Sequence, residues 1–188
     1  MADFNTAVEV VLQHEGGVGT LAGDPGGKTC FGWSEPTCTA LGIEQPETLA
    51  AATVLYHEHF WNPLYEKITS QNVATKLLDD CVNQGTRTGV RNLQRALTAA
   101  GSIVNIDGSF GPATLTAVNL VPESLLLPWM RLIQYQTYET WIGTNPDRLK
   151  LKHGMANRAA WPDADGTIAA ALMNGTYNPS TGTEGLRD

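Results

Sequence analysis

Residues 3–17 read DFNTAVEVVLQHEGG, and this stretch sets the fold class. Its apolar residues return every three or four positions, which predicts a helix with one buried face formed by Phe4, Ala7, Val8, Val11 and Leu12. Asp3 can accept hydrogen bonds from the first free backbone amides, and Gly16-Gly17 is a typical helix stop. The sequence therefore predicts an amphipathic N-terminal helix.

The same periodicity, with capping residues and prolines, predicts further helices along the chain. One follows Pro36 up to Gly42, and another runs from Thr48 to Asn62-Pro63. Three more cover 70–84, 87–99 and 112–118. A further helix passes through Leu132 and Trp141, and the last begins at Asn145-Pro146. Pro122 and Pro128 are expected to lie before the helix that contains Leu132 and to interrupt helical structure there. Between Gly16 and Ser34 the sequence predicts a structured Gly-rich loop, with 28–33 as a short strand or hairpin arm. The expected fold is mainly α, with a small β-hairpin element.

Length and composition fit one main folded domain. The chain has 188 residues, 42% apolar and 16% charged, with a net charge of -7, so intrinsic disorder and a broad positive field for nucleic acid are both disfavoured. No apolar stretch reaches the roughly 20 residues of a membrane span, and the N-terminus lacks a basic signal region. We therefore expect synthesis in the cytoplasm. Cys30, Cys38 and Cys81 are interpreted as reduced thiols, with a bridge between the first two as the alternative.

Glu15 is the first candidate for chemistry. Eleven helical steps of about 100° return it to within about 20° of the direction of Phe4, toward the core side. Burial disfavours the charged form of a carboxyl, which suits a general acid. The alternative is that Glu15 only caps or pairs at the helix end, although an acid at a helix C-terminus opposes the macrodipole.

Asp24 and Thr29 follow on the Gly-rich loop, which can fold back over the helix end. Two carboxyls from such neighbouring segments can flank one bond, as glycoside hydrolysis requires. Alternatively, Asp24 before Pro25 only initiates a turn, and the Thr29 hydroxyl only satisfies a nearby backbone group.

These residues carry a resemblance to a known family. The segments Glu15-Gly16-Gly17, Asp24-Pro25-Gly26-Gly27-Lys28-Thr29 and 31–34 (FGWS) resemble the opening signature of the glycoside hydrolase family 108 lysozymes. Further matches run in order through Tyr56 to Trp61, Asp79 to Gly85, Leu93 to Thr114, which resembles a peptidoglycan-binding portion, and Gly154 to Arg158. Met155 stands where the family usually has Trp, and Trp33 where Ile or Val is common.

The resemblance implies an N-acetylmuramidase that cleaves the β-1,4 bond between N-acetylmuramic acid and N-acetylglucosamine in peptidoglycan, with Glu15 as the catalytic acid. The order of Glu, Asp and Thr is also similar to that of phage lysozymes in which the Asp and Thr position a water for inverting attack. Asp24 and Thr29 would then be the base and the residue that holds the water. The resemblance also implies a phage or prophage endolysin, released through a holin pore or by specialised secretion.

Four residues are candidates for substrate binding. Trp33 could stack on a sugar or belong to the core, and Tyr56 has the same two interpretations. Asp79 and Asn83, four positions apart, are predicted to lie opposite the apolar stripe of their helix, facing solvent or a cleft. The Asn83 amide could then bond to an N-acetyl group.

We expect a catalytic lobe at 1–85, a helical peptidoglycan-binding lobe at 86–173 packed on it, and a flexible tail at 174–188, in a chain that is monomeric. No metal or cofactor is expected, because His57 and His59 lack the spacing of two ligands on one helix face. Two alternatives remain open: a lytic transglycosylase, which closes the muramic acid ring without water, and a non-catalytic peptidoglycan-binding protein.

Overall fold

The computed structural model describes residues 1–15 and 29–181, and the backbone of 183–184. This part of the chain is mainly helical, as predicted. Its helices are α1 (Phe4–Glu15), α2 (Glu35–Leu41), α3 (Leu49–Phe60), α4 (Gln71–Gln84), α5 (Thr86–Ala99), α6 (Pro112–Leu120), α7 (Glu123–Gly143), α8 (Lys152–Ala160) and α9 (Thr167–Asn174). Short 3-10 helices span Tyr65–Lys67 and Pro146–Leu151.

Local capping explains where several helices begin. The Asp3 carboxylate accepts the Thr6 backbone N–H at 2.8 Å, and the Thr48 hydroxyl accepts that of Ala51 at 3.1 Å. The sequence predicted the Asp3 cap, a helix that starts at Thr48 and the end of α4 at Gly85. The N-terminal helix therefore begins as expected, and it continues to Glu15.

Two antiparallel hairpins complete the described structure. In the first, β1 (Thr29–Cys30) pairs with β2 (Trp33–Ser34), with Thr29 opposite Ser34 and Cys30 opposite Trp33. Its two-residue turn has positive φ at both Phe31 (52°) and Gly32 (85°), the geometry of a type I′ turn. The second hairpin joins β3 (Tyr177–Asn178) to β4 (Thr183–Glu184). The hairpin arm predicted for residues 28–33 is thus present from Thr29 onward.

Helix α4 lies at the centre of the fold. It packs against α1, α3, α5 and α7, so it is buried on nearly every side. The main hydrophobic cluster forms around it and includes Val11, Tyr56, Leu77 and Leu93. A second cluster joins α7 to α8 and α9, where small alanines such as Ala156 and Ala159 allow close approach of the helices. The site described below lies where α1, α4 and α8 meet.

Two expectations about helix α7 and helix α4 are wrong. Pro128 does not precede α7 but lies inside it, buried, because the helix already begins at Glu123. Proline lacks the amide that would bond to the carbonyl of Ser124, and because Ser124 is exposed this carbonyl is accessible to solvent. Asp79 does not face solvent or a cleft, because its side of α4 is covered and the residue is 1% exposed.

Candidate active site

Glu15 is the last residue of α1, placed by the apolar face of that helix. Ala7, Val8 and Val11 are buried and α1 packs on α4, which fixes the position of the helix end. The Glu15 side chain itself is 18% exposed, so it lies at the edge of the core and is open to a ligand. The carboxyl is thus neither fully buried nor freely solvated.

Arg158, on α8, joins this carboxyl to the interior. Its Nη2 donates to Glu15 Oε1 at 2.7 Å. The same guanidinium donates to Asp79 on α4, from Nε to Oδ1 at 2.9 Å and to Oδ2 at 3.1 Å, with Nη2 2.8 Å from Oδ1. The planar fork of an arginine can hold two carboxylates in fixed directions in this way. One cation therefore positions Glu15 relative to the central helix.

Asp79 is the buried anchor of the cluster. His14, the neighbour of Glu15, lies with Nδ1 2.9 Å from Asp79 Oδ1. Burial alone would raise the pKa of Asp79, but the charge of Arg158 and the hydrogen bond from His14 outweigh it and lower that pKa to about 2. Because an ionised carboxylate only accepts hydrogen bonds, Nδ1 of His14 carries the hydrogen in this pair.

Arg158 stays charged in this setting. Burial by itself would lower the pKa of its guanidinium, but the charges of Asp79 and Glu15 outweigh burial and raise that pKa above its ordinary value. Its backbone is held too: Lys76 of α4 donates from Nζ to the carbonyls of Arg158 at 2.8 Å and Ala159 at 2.7 Å. These carbonyls lie at the C-terminal end of α8, where a cation is favoured. Burial lowers the pKa of Lys76 in spite of the nearby acidic residues.

The first hairpin packs directly on Glu15. A Cβ atom added at Gly32 would lie 2.7 Å from Glu15 Cγ and would also overlap the Tyr56 hydroxyl, so only glycine fits at this contact. Tyr56 donates its O–H to the carbonyl of Phe31 at 2.9 Å, which holds the residue with positive φ in place. Thr29, half-buried, lies at the base of the same hairpin. The turn thus forms one wall beside the acid.

The predicted site residues are in part brought together. Glu15, Tyr56 and Asp79 belong to one cluster, whereas Asp24 lies outside the described residues. Trp33, Tyr56 and Asp79 are 2%, 1% and 1% exposed, so in this structure they have almost no surface to offer a sugar. Their contacts are instead internal: the Trp33 and Tyr56 rings, for example, lie 5.1 Å apart. Asn83 is exposed and lines a pocket.

Sequence reasoning missed the roles of three residues. Arg158 was noted only as part of a closing motif, and Lys76 and His14 were not considered as partners of Asp79. The sequence gives little signal for these contacts, because the partners are far apart in the chain. His14 and Asp79 are separated by 65 positions, and Arg158 and Glu15 by 143. Within residues 1–15 and 29–181, no group of three or more His, Cys, Asp or Glu is arranged to hold a metal ion. The described helices include none long and apolar enough to cross a membrane.

The helical architecture is consistent with a lysozyme-like fold, and a partly exposed carboxyl held by an arginine beside a glycine hairpin is an arrangement suited to a general acid. Residues 8–85 match the family model Glycosyl hydrolase 108, and residues 88–160 match a model described as Predicted Peptidoglycan domain. The chain thus carries a Glycosyl hydrolase 108 domain followed by a peptidoglycan domain, and it is a peptidoglycan hydrolase. The resemblance seen in the sequence motifs is confirmed.

A solved structure has the same fold. The structure of SagA from Brucella abortus is similar with a TM-score of 0.66 and 22% sequence identity, over 94% of this chain and 97% of that chain. At this identity the likeness concerns the fold. A comparison with curated proteins gave no match.

Proposed function

We propose that the protein is an N-acetylmuramidase that hydrolyses the β-1,4 bond between N-acetylmuramic acid and N-acetylglucosamine, with Glu15 as the general acid. The observation that carries the proposal is the placement of Glu15: partly exposed at a helix end, against Gly32, and bonded to Arg158 at 2.7 Å. A carboxyl fixed in direction at the edge of the core can meet a glycosidic oxygen at hydrogen-bond distance.

The two oxygens of Glu15 have different tasks in this proposal. Oε1 is occupied by the Arg158 guanidinium, so we assign the proton to Oε2, which delivers it to the leaving oxygen. The carboxylate left after this transfer is stabilised by the permanent charge of Arg158 through a charge-assisted hydrogen bond. Asp79, buried and ionised, keeps the guanidinium aligned while this happens. Arg158 and Asp79 are therefore positioning residues.

Water is the second reactant. We propose that Asp24 is the base that activates it and that Thr29 holds it in place. Support for Thr29 comes from its position at the base of the hairpin whose turn contacts Glu15. An inverting reaction needs about 6.5–9.5 Å between the two carboxyls, whereas about 5–5.5 Å would give retention.

The experiment is to digest purified peptidoglycan, reduce the products and identify the sugar ends by mass spectrometry. Wild type, Glu15→Gln and Glu9→Gln are compared, since Glu9 is an exposed glutamate on the same helix. We expect reducible muramic acid ends from wild type and Glu9→Gln, and a rate lower by roughly 10²–10⁴-fold for Glu15→Gln. Anhydro ends would instead identify a lytic transglycosylase. Sedimentation of all three proteins with the wall, without released sugars, would indicate a binding protein.

The biological setting is also a proposal. We infer that the protein is a phage or prophage endolysin, made in the cytoplasm, that acts as a monomer after release. Residues 1–85 would form its catalytic lobe and 86–173 its peptidoglycan-binding lobe. The flexible tail expected from residue 174 is not part of this proposal, because β3 pairs with β4 there and Tyr177 is buried. Expression in a bacterial host with and without a holin tests the release route. Lysis that depends on the holin and on Glu15 supports this setting, and lysis without a holin contradicts it.

A further inference from the structure

A pocket of about 390 Å³ opens beside the acid cluster, between helices of the two matched domains. α4 contributes Asn83, α7 contributes Thr137, Tyr138 and Trp141, and α8 contributes Met155. Trp141 is 42% exposed, so part of its indole is available to a ligand in the pocket.

The lining chemistry selects the class of ligand. Of the pocket residues that the structure describes, none carries a charge; they offer amides, hydroxyls, an indole and a thioether. Amides and hydroxyls suit the hydroxyl and acetamide groups of a neutral sugar, and an aromatic ring suits its apolar face. The stem peptides of peptidoglycan carry carboxylates and amines, for which this lining has no charged partner. A neutral N-acetylated sugar fits better than a peptide.

Trp141 is held in position before any ligand arrives. The Arg148 guanidinium lies 3.9 Å from the centre of the indole ring, and its Nη1 donates to the carbonyl of Trp141 at 2.9 Å and to the Thr144 hydroxyl at 2.8 Å. Arg148 does not line the pocket, so it supports the ring from another side. A ring already fixed loses little freedom when a sugar stacks on it.

Two of the helices that line the pocket also carry residues of the Glu15 site. Asn83 lies four residues after Asp79 on α4, and Met155 lies three residues before Arg158 on α8, so each is about one helical turn, roughly 5.4 Å, from a residue of the acid cluster. Burial raises the pKa of Tyr138, and the charges of Asp79 and Arg158 also act on it, so this pocket residue lies near both of them.

We propose that this pocket is a subsite for an N-acetylhexosamine unit of the glycan strand, with Trp141 as the stacking surface and Asn83 as the partner of the acetamide. The proposal rests on the proposed function, because it takes the glycan bound at Glu15 as the strand that continues into the pocket. It assigns to α7 and α8 a direct part in substrate binding.

Calorimetric titration of the inactive Glu15→Gln protein with an N-acetylglucosamine tetramer tests the subsite. In that background, Trp141→Ala is expected to weaken binding by about tenfold or more. Asn83→Ala should weaken binding of the acetylated tetramer but leave the much weaker binding of a glucose tetramer unchanged. Gln136→Ala, an exposed glutamine of α7 that does not line the pocket, is the matched control and should bind as the parent does. Thermal unfolding verifies that each variant is folded. If Trp141→Ala does not fold, Asn83→Ala, at an exposed position, provides the test.

Three results would overturn the proposal: no binding of the tetramer by the parent, unchanged affinity in both pocket variants, or binding of a free stem peptide that the pocket variants abolish. The digestion of peptidoglycan separates this failure from failure of the proposed function. If the variants bind with unaltered affinity and wild type releases sugars normally, the subsite is contradicted and the muramidase proposal stands. If the variants lose affinity but wild type releases no sugars, the muramidase proposal is contradicted and the subsite stands.

Discussion

Arg158 Nη2 lies 2.7 Å from Glu15 Oε1, although the two residues are 143 positions apart in the chain. Glu15 belongs to the segment that matches the hydrolase model, whereas Arg158 belongs to the segment that matches the peptidoglycan model. The second segment therefore contributes a positioning group to the acid of the first. The two segments share one site.

Replacing Arg158 separates its charge from its shape. Arg158→Ala leaves Asp79 buried without its cation and should lower the free energy of unfolding by about 3–5 kcal/mol. Arg158→Lys keeps a charge but not the fork that reaches both carboxyls, so we expect a folded protein whose kcat falls by roughly 10²-fold while KM changes little. Denaturant titration and steady-state kinetics with its pH profile provide the measurements. Arg95→Lys, at an exposed position of α5, is the control for kcat, and an equal loss there would contradict a specific role of Arg158.

Gly32 is expected to be far more sensitive to substitution than Gly42. Both glycines have positive φ, 85° and 67°, but an added Cβ meets Glu15 and Tyr56 at Gly32 and nothing within 4 Å at Gly42. Gly42→Ala should therefore lower the free energy of unfolding by only about 1–2 kcal/mol, which is the cost of a side chain at positive φ. Gly32→Ala should cost a further 1–3 kcal/mol, roughly, because of overpacking, and should displace the acid and reduce activity. Equal losses of stability in the two variants would show that the hairpin does not press on Glu15.

The Tyr56 hydroxyl holds the turn beside the acid. Tyr56→Phe removes its hydrogen bond to the Phe31 carbonyl and should lower the free energy of unfolding by about 1 kcal/mol, with a measurable loss of kcat as the turn loosens. Tyr65→Phe is the matched control, since the Tyr65 hydroxyl only meets the Cys81 sulfur at 3.7 Å. Activity is measured on solubilised peptidoglycan. A larger loss of kcat in Tyr65→Phe than in Tyr56→Phe would count against the role of the turn.

The pKa of Asp79 predicts how the free energy of unfolding depends on pH. Its pKa of about 2 in the folded protein lies below its ordinary value of 3.8, so its contribution is complete above about pH 4 and is lost as the pH falls toward 2. The loss should be about 2 kcal/mol over this window. Asp79→Asn should lack this part of the acid limb when unfolding is followed by circular dichroism. Asp147→Asn, at an exposed position, should keep it, and an unchanged limb in Asp79→Asn would disprove the assignment.

Local sequence signals were sufficient for most helices. Asp3, Thr48 and Gly85 mark helix ends by chemistry that acts within a few residues, so their positions could be predicted. Pro128 could not, because a proline inside a helix depends on whether neighbouring packing and solvent compensate for the missing amide. The helix α9 was not predicted either; its short apolar run follows a turn and is stabilised by packing on α8.

The contacts of the site could be predicted from the sequence less completely than the helices. Glu15 could be selected as a candidate because its spacing and motif are local, whereas the burial of Asp79 depends on Arg158 and His14, which come from other elements. Periodicity marks a polar residue as outward-facing, but the middle of a central helix is covered on all sides. Trp33 illustrates the same limit, since only the contacts with Tyr56 and Phe60 decide between core and sugar surface.

The contact of Lys76 with the end of α8 has a consequence for engineering. Lys76 Nζ donates to the carbonyls of Arg158 and Ala159, and Arg158 in turn bonds to Glu15, so the contact between the two matched segments lies beside Glu15. A chimera would keep its acid oriented only if the incoming half restored both an arginine and a helix end at the tip of this lysine.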